Sequence, residues 1–274
     1  MKRKPAVAGQ FYESSRAGLT SQVESFIDSG LPKESAVGIV SPHAGLMYSG
    51  AVAGAVYSRI KLPRTFILLG PNHTGLGSPV SIMSSGSWEM PTGELEIDEP
   101  LASKLKGQAQ LIEEDISAHA MEHSLEVQLP FILYCAAGVK IVPLLMMTDS
   151  LEICKTVGES IAEIIRSSTY PVTIIASSDM SHYVTDAVAR STDKRAIDRI
   201  LDIDPEGLYQ TVREEAISMC GVVPVTTMLC AARELGADKA DLVKYMTSGE
   251  VSGDYNYVVG YAGLIIRLTE DKNS

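Results

Sequence analysis

The chain has 274 residues, of which 45% are hydrophobic and 21% charged, and it carries a formal net charge of −11. That length and balance fit one soluble globular domain with a sizeable core. The acidic surplus, with no run of Lys and Arg to offset it, argues against nucleic-acid binding and against docking on anionic membranes.

Met1-Lys2-Arg3-Lys4 has the charge of a signal-peptide start, but the apolar stretch behind it, Pro5 to Gly9, is broken off by Gln10, Tyr12 and Glu13. No later stretch has the length of a membrane span. Cys135, Cys154, Cys220 and Cys230 form no C-x-x-C pair and are too few for a disulfide framework, so the expected location is cytoplasmic.

Val37 to Ser41 is a short apolar run ending in Pro42-His43-Ala44-Gly45. A small-residue helix is predicted over Ala51 to Arg59, with Ser49 as its N-cap. Thr65 to Leu69 is a second apolar run, ending in Gly70-Pro71-Asn72-His73, and Pro79 to Met83 a third strand. Trp88 to Ile97 reads as hairpin material, Glu99 to Leu105 as a helix and Ala109 to Ile112 as a short strand. Ser124 to Ala136 has helical spacing, and Pro130 inside it kinks the helix or delays its start. Lys140 to Leu145 is a strand, Leu151 to Arg166 a helix, and Val172 to Ala176 a buried strand running into Ser177-Ser178-Asp179. Helices follow over Arg190 to Leu201, Gly207 to Val212 and Val223 to Leu235. Leu242 to Met246 and Val258 to Ile266 are closing strands, and Glu270 to Ser274 a disordered tail. This alternation predicts a single three-layer α/β domain with a mostly parallel central sheet flanked by helices.

In such sheets ligands collect at the carboxyl ends of the strands. Here three strands run directly into His43, His73, and Asp179 with His182. One histidine after a strand is ordinarily a loop residue and one aspartate a turn cap. Recurrence at equivalent strand ends points instead to a site that gathers its groups from several strands. Cys220 stands just ahead of a predicted helix, where the helix N-terminus favours the thiolate, the form that binds metal; on the residues alone a buried, inert cysteine is the better reading. The other three cysteines sit among apolar helical neighbours and are assigned to packing.

His119-Ala120-Met121-Glu122-His123 matches H-x-x-E-H, a zinc-peptidase pattern that needs both histidines on one face of a helix. With three other histidines converging on the strand ends, this zinc-peptidase reading is the lesser one. No G-x-S-x-G, P-loop or G-x-G-x-x-G is present, so neither an ordinary hydrolase nor a nucleotide cofactor is expected.

Several blocks, read together and in order, are specific. They are Pro5-Ala6-Val7-Ala8-Gly9 with Phe11-Tyr12, Ser41-Pro42-His43-Ala44-Gly45, Gly70-Pro71-Asn72-His73, and Glu122-His123-Ser124-Leu125-Glu126. Ser177-Ser178-Asp179-Met180-Ser181-His182 and Cys220-Gly221 with Pro224 complete the set. On these blocks the chain resembles the Memo family, protein B of the AmmeMemoRadiSam system, over nearly its whole length. The resemblance implies a fold similar to class III extradiol dioxygenases, with His43, His73 and Cys220 at the metal positions. Asp179, His182 and His123 would surround that cleft. A thiolate replaces the carboxylate of the dioxygenase iron triad, which argues against ring cleavage and suits iron, copper or zinc.

The leading expectation is therefore an iron- or copper-dependent redox enzyme. In it His182 is the acid/base group, Asp179 orients it or completes the metal site, and His123 is a second proton donor or a substrate-orienting group. The alternative is a non-catalytic module holding a small molecule or peptide in the same cleft. The resemblance also implies AMMECR-domain and radical-SAM proteins as partners, and a homo-oligomer is the default assembly.

Overall fold

Strands that are apolar at every position have no face to offer water, so they belong in the middle of a covered sheet. The computed structural model, which describes residues 1–269, shows this arrangement. The run expected to be a disordered tail, 270–274, lies outside the described residues. The main sheet comprises β1 (Gly38–Ser41), β2 (Thr65–Pro71), β3 (Val80–Ile82), β4 (Glu113–Glu114) and β5 (Lys140–Met146), then β6 (Val172–Ser177), β7 (His182–Val184), β8 (Lys239–Thr247) and β9 (Val258–Arg267). Strands β1, β2 and β6 are buried throughout, and β5 at all but its first residue.

The order across the sheet is β7-β9-β1-β6-β2-β5-β3-β4, with β8 also paired to β9. The four central strands β1, β6, β2 and β5 are parallel. Antiparallel pairs extend this centre on both sides: β9 on β1, with β7 and β8 on β9, and β3 on β5. The sheet is thus mixed around a parallel centre. The register sets the geometry of everything downstream: Ser41 pairs with Ser177, and Leu69 pairs with Ala176. The three strands therefore end at one level, and the loops that leave them start side by side.

Helices Leu151–Arg166 and Val222–Glu234 pack together, the second lying against β1, β2 and β6. Helix Leu46–Tyr57 packs on β8, β9 and β1, beside helix Leu129–Cys135. Ile39, Phe66, Ile67, Leu68 and Ile174 are fully buried between the layers. A small sheet of Lys2–Arg3, Ser87–Met90 and Gly93–Glu96 holds the N-terminal segment.

Several local expectations change. The helix expected from Ala51 begins at Leu46 with Gly45 as its cap, and the Ser49 hydroxyl donates back to Ala44 O at 2.8 Å from inside the first turn. Ala109–Ile112 is a turn closed by Ile112 N to Ala109 O at 3.0 Å, and the strand is the next two residues. The segment from Ser124 splits into a 3-10 turn, Glu126–Gln128, and an α-helix with Pro130 in its first turn, where its missing N–H costs nothing. Helix Arg16–Glu24, capped by Ser15 Oγ on Gly18 N at 3.1 Å, was not anticipated. No helix among the described residues is long and apolar enough to cross a membrane.

Candidate metal centre

His43 leaves β1 two residues past its end, and the neighbouring strand holds it in place. The backbone N–H groups of His43 and Ala44 donate to Asp179 Oδ1 at 2.8 and 3.3 Å. The His43 ring meets Ser177 Oγ through Nδ1 at 2.9 Å. That hydroxyl gives its own proton to Ser124 O at 2.7 Å and accepts from Gln128 Nε2 at 2.9 Å. It must therefore accept from His43 Nδ1–H, which makes Nε2 the lone-pair nitrogen.

His73 is fixed in the same tautomer by a different group. Its Nδ1 lies 2.9 Å from Glu122 Oε1, and its backbone N–H donates to Glu122 Oε2 at 2.5 Å. Glu122 is 1% exposed and also accepts from the backbone of His123 and Ser124, both at 2.9 Å. Its Oε1 is 3.4 Å from His123 Nδ1 as well. One buried carboxylate thus addresses both rings. Burial opposes its charge, but the donors from His73, led by the imidazole, and from Ser124 outweigh it and bring its pKa down to about 2.

The result is a convergence of three imidazoles. His43, His73 and His123 each offer a ligand nitrogen, and the three lie within 4.8 Å of one another. Nitrogens about 2 Å from a common tetrahedral metal lie about 3.3 Å apart, so small ring movements close the set on an ion. Burial first, then the neighbouring imidazoles, holds His43 well below the usual histidine range, and burial likewise lowers His123. Both are therefore neutral and able to ligate. Phe11 packs on His123 with ring centroids 4.7 Å apart.

Cys220 joins from the other side, its Sγ 3.2 Å from His43 Nε2. Gly221 permits the approach, because a Cβ there would come within 2.4 Å of Ser177 O and Ser178 Cβ. The Asp179 N–H donates to the same sulfur at 3.3 Å. The expectation that a helix N-terminus favours the thiolate does not hold for this structure as it stands. Burial, then the Asp179 charge, pushes the thiol well up. Burial also raises the Asp179 carboxyl. Two acids that cannot easily both ionise, facing three imidazoles, form a donor set that a cation would complete, so these residues fit a metal.

His182 stands at the edge of this group. Its Nδ1 must donate to Ser218 O, 2.9 Å away, so its Nε2 is also free. The three histidines that meet are thus His43, His73 and His123, with His182 beside them. His73 and Cys220 open into a cleft of about 570 Å³ that also takes in Asn72, Met146, Arg213 and Val223.

The H-x-x-E-H arrangement is not formed. The helix spans only Ile116–Ala120, so Glu122 and His123 lie beyond it. His119 is fully buried against Trp88, ring centroids 5.8 Å apart, and neither ring nitrogen has a hydrogen-bond partner. The backbone of this loop is held from the N-terminal segment. Arg3 donates to His119 O at 2.7 Å and Glu122 O at 2.6 Å, and forms a buried ion pair with Glu126 at 2.6 Å. Sequence reasoning missed the clamping roles of Glu122 and Ser177, because nothing in their local sequence says which ring they face.

Comparison with known proteins finds matches over nearly the whole chain. The model of the Memo-like protein family matches residues 3–265. A MEMO1 family protein of Methanothermobacter thermautotrophicus is 42% identical over 276 residues, covering 96% of this chain and 100% of the relative. One from Pyrobaculum aerophilum is 42% identical over 275 residues, covering 96% and 98% respectively. One from Caldivirga maquilingensis is 38% identical over 275 residues, with the same coverage.

Proposed function

The chain belongs to the Memo family, and from that premise we propose that it is a metal-dependent redox protein whose ion is iron or copper. The observation that carries this reading is the convergence of His43, His73 and His123, with Nδ1 of His43 and of His73 bonded to protein and Nε2 of His43 turned to Cys220 Sγ. His43, His73 and Cys220 are the proposed ligands, and His123 is a further nitrogen donor rather than a remote proton donor. A thiolate beside imidazoles favours iron or copper over a hard, oxygen-loving ion, with zinc the redox-silent competitor.

A bound iron or copper would supply one-electron chemistry. The protein's own part is positional. Asp179 holds the His43 loop through two N–H groups, and His182, with Nδ1 committed to Ser218 O, keeps Nε2 available to take or give a proton at the rim. The cysteine usage supports a cytoplasmic protein. Association with AMMECR-domain and radical-SAM proteins is proposed on the family resemblance alone.

The test is anaerobic purification with reductant and mass-spectrometric metal analysis of the parent, His43→Ala and Cys220→Ser. Near-stoichiometric iron or copper in the parent, lost in folded His43→Ala and weakened in Cys220→Ser, is expected. Full retention of metal in both variants would sink the assignment. Bound metal with no turnover of any oxidant would move the reading to a binding module.

A further inference from the structure

The cleft beside the histidines has a wall that this chemistry does not use. Met146, Met147, Val222, Val223 and Pro224 make it apolar, and Arg213 is the one Arg or Lys among its lining residues. Arg213 is held in position. Its Nη2 donates to Asp149 O at 3.0 Å, and the guanidinium carbon lies 4.7 Å from the Tyr209 ring centroid. Both contacts to Asp149 use Nη2, and the one hydrogen bond among them takes one of its two hydrogens; Nε and Nη1 make no hydrogen bond to protein among the described residues, so one two-donor edge, the second Nη2 hydrogen beside its neighbouring N–H, stays open. The Asp149 carboxylate is 3.7 Å from that nitrogen and 90% exposed, too well hydrated to satisfy the guanidinium.

We propose that this cleft binds a small organic carboxylate. The carboxylate sits on the free edge of Arg213, its apolar body lies on Met146, Met147, Val222 and Val223, and its far end faces His73 and Cys220. A planar guanidinium edge matches two carboxylate oxygens with two parallel donors. A volume of about 570 Å³ suits a molecule of one ring or a short chain. A dianion is disfavoured, since one guanidinium would face it alone in a chain of net charge −11. That the far end meets a metal rests on the proposed function; the binding itself does not.

The experiment titrates benzoate and its neutral isostere benzamide into the metal-free, 15N-labelled full chain, following the amides of Arg213, Val222 and Val223. Benzoate is expected to bind about tenfold more tightly than benzamide. Arg213→Gln should remove that preference, Arg213→Lys should keep part of it, and Asp149→Asn should leave or increase it. Arg213 is half exposed, so these variants are expected to fold, which the same spectra check. Equal binding of the two probes, a preference that survives Arg213→Gln, or no saturable shift with either probe would each overturn the inference. Metal content measured on the same preparations separates the two readings. Metal without benzoate binding removes this inference alone, and benzoate binding without metal removes only the proposed ion.

Discussion

Glu122→Gln is the substitution whose effect follows most directly from the structure. Oε1 takes three donors, the His73 ring N–H and the backbone N–H groups of His123 and Ser124, while Oε2 takes the His73 backbone N–H. The glutamine oxygen therefore settles at the Oε1 position, and its NH2 is forced against the His73 N–H, a donor facing a donor. Leaving one buried N–H unpaired costs about 1–3 kcal/mol. In a chain of this size that corresponds to a fall of very roughly 2–12 °C in melting temperature. Loss of the carboxylate also loosens the His73 tautomer, and removing such a support weakens metal affinity about 10–100-fold. The assays are isothermal titration with iron(II) or copper(I), thermal unfolding, and 15N spectra that report which imidazole nitrogen carries the proton. A lower melting temperature with metal affinity and the His73 tautomer both unchanged would refute the reasoning, since Glu122 would then be only a structural brace. The same carboxylate has a pH signature. Its pKa is depressed on folding to about 2, so its stabilisation is present above the ordinary carboxylate value and is lost as pH falls toward 2. Glu122→Gln should flatten that part of the acid-unfolding curve.

His119→Phe should leave metal content intact and hold or raise stability by about 1 kcal/mol, since it replaces two buried, unpartnered nitrogens with carbon. Burial lowers His119 to about 4 on folding, so its cost appears as pH falls below the unfolded value, and the variant should gain most near pH 5 in a denaturant series. Arg3→Met leaves the Glu126 carboxylate, which is 0% exposed, without its counter-charge and with only the Ala6 and Val7 N–H groups and the Tyr12 hydroxyl as donors, and should cost about 3 kcal/mol in urea unfolding; a loss under 1 kcal/mol would mean the pair is dispensable. Gly221→Ala must push against the Ser177 carbonyl, and should destabilise by about 1–3 kcal/mol while displacing Cys220, read out as weaker metal binding.

The sequence shows the parallel centre because β1, β2, β5 and β6 are uninterrupted apolar runs, which need no tertiary information to recognise. It also shows His43, His73 and Asp179 as neighbours, since residues that leave adjacent parallel strands at one register must meet. The failures share a cause. The start of helix Leu46–Tyr57 is hidden because Gly50, Ala53 and Gly54 give no periodicity. The strand pattern alone does not place His123, because its loop meets the strand ends through contacts distant in sequence, Glu122 to His73 and Ser124 to Pro71 and Ser177. The raised pKa of Cys220 follows the buried-cysteine reading rather than the helix-dipole one, because a helix dipole is a local feature and desolvation is a property of the whole fold. The Memo blocks reach further than physical reading here, placing Cys220 beside the histidines before any contact is known.

The Arg3 anchor has a kinetic consequence. Its bonds to His119, Glu122 and Glu126 join residues 116, 119 and 123 positions apart. Closing a loop of that length costs about 4 kcal/mol of chain entropy before any contact repays it. Chains rich in contacts of such range fold slowly, because the ends must be brought together before the contact can form. Asp179 and Cys220 enter from still further along the chain. A partly synthesised or partly folded polypeptide therefore presents isolated imidazoles rather than a converged set. This differs from a zinc finger, in which the ion nucleates the structure around short-range ligands. Occupancy of this centre should instead follow completed folding, so that apo-protein refolds at the same rate with or without metal in solution.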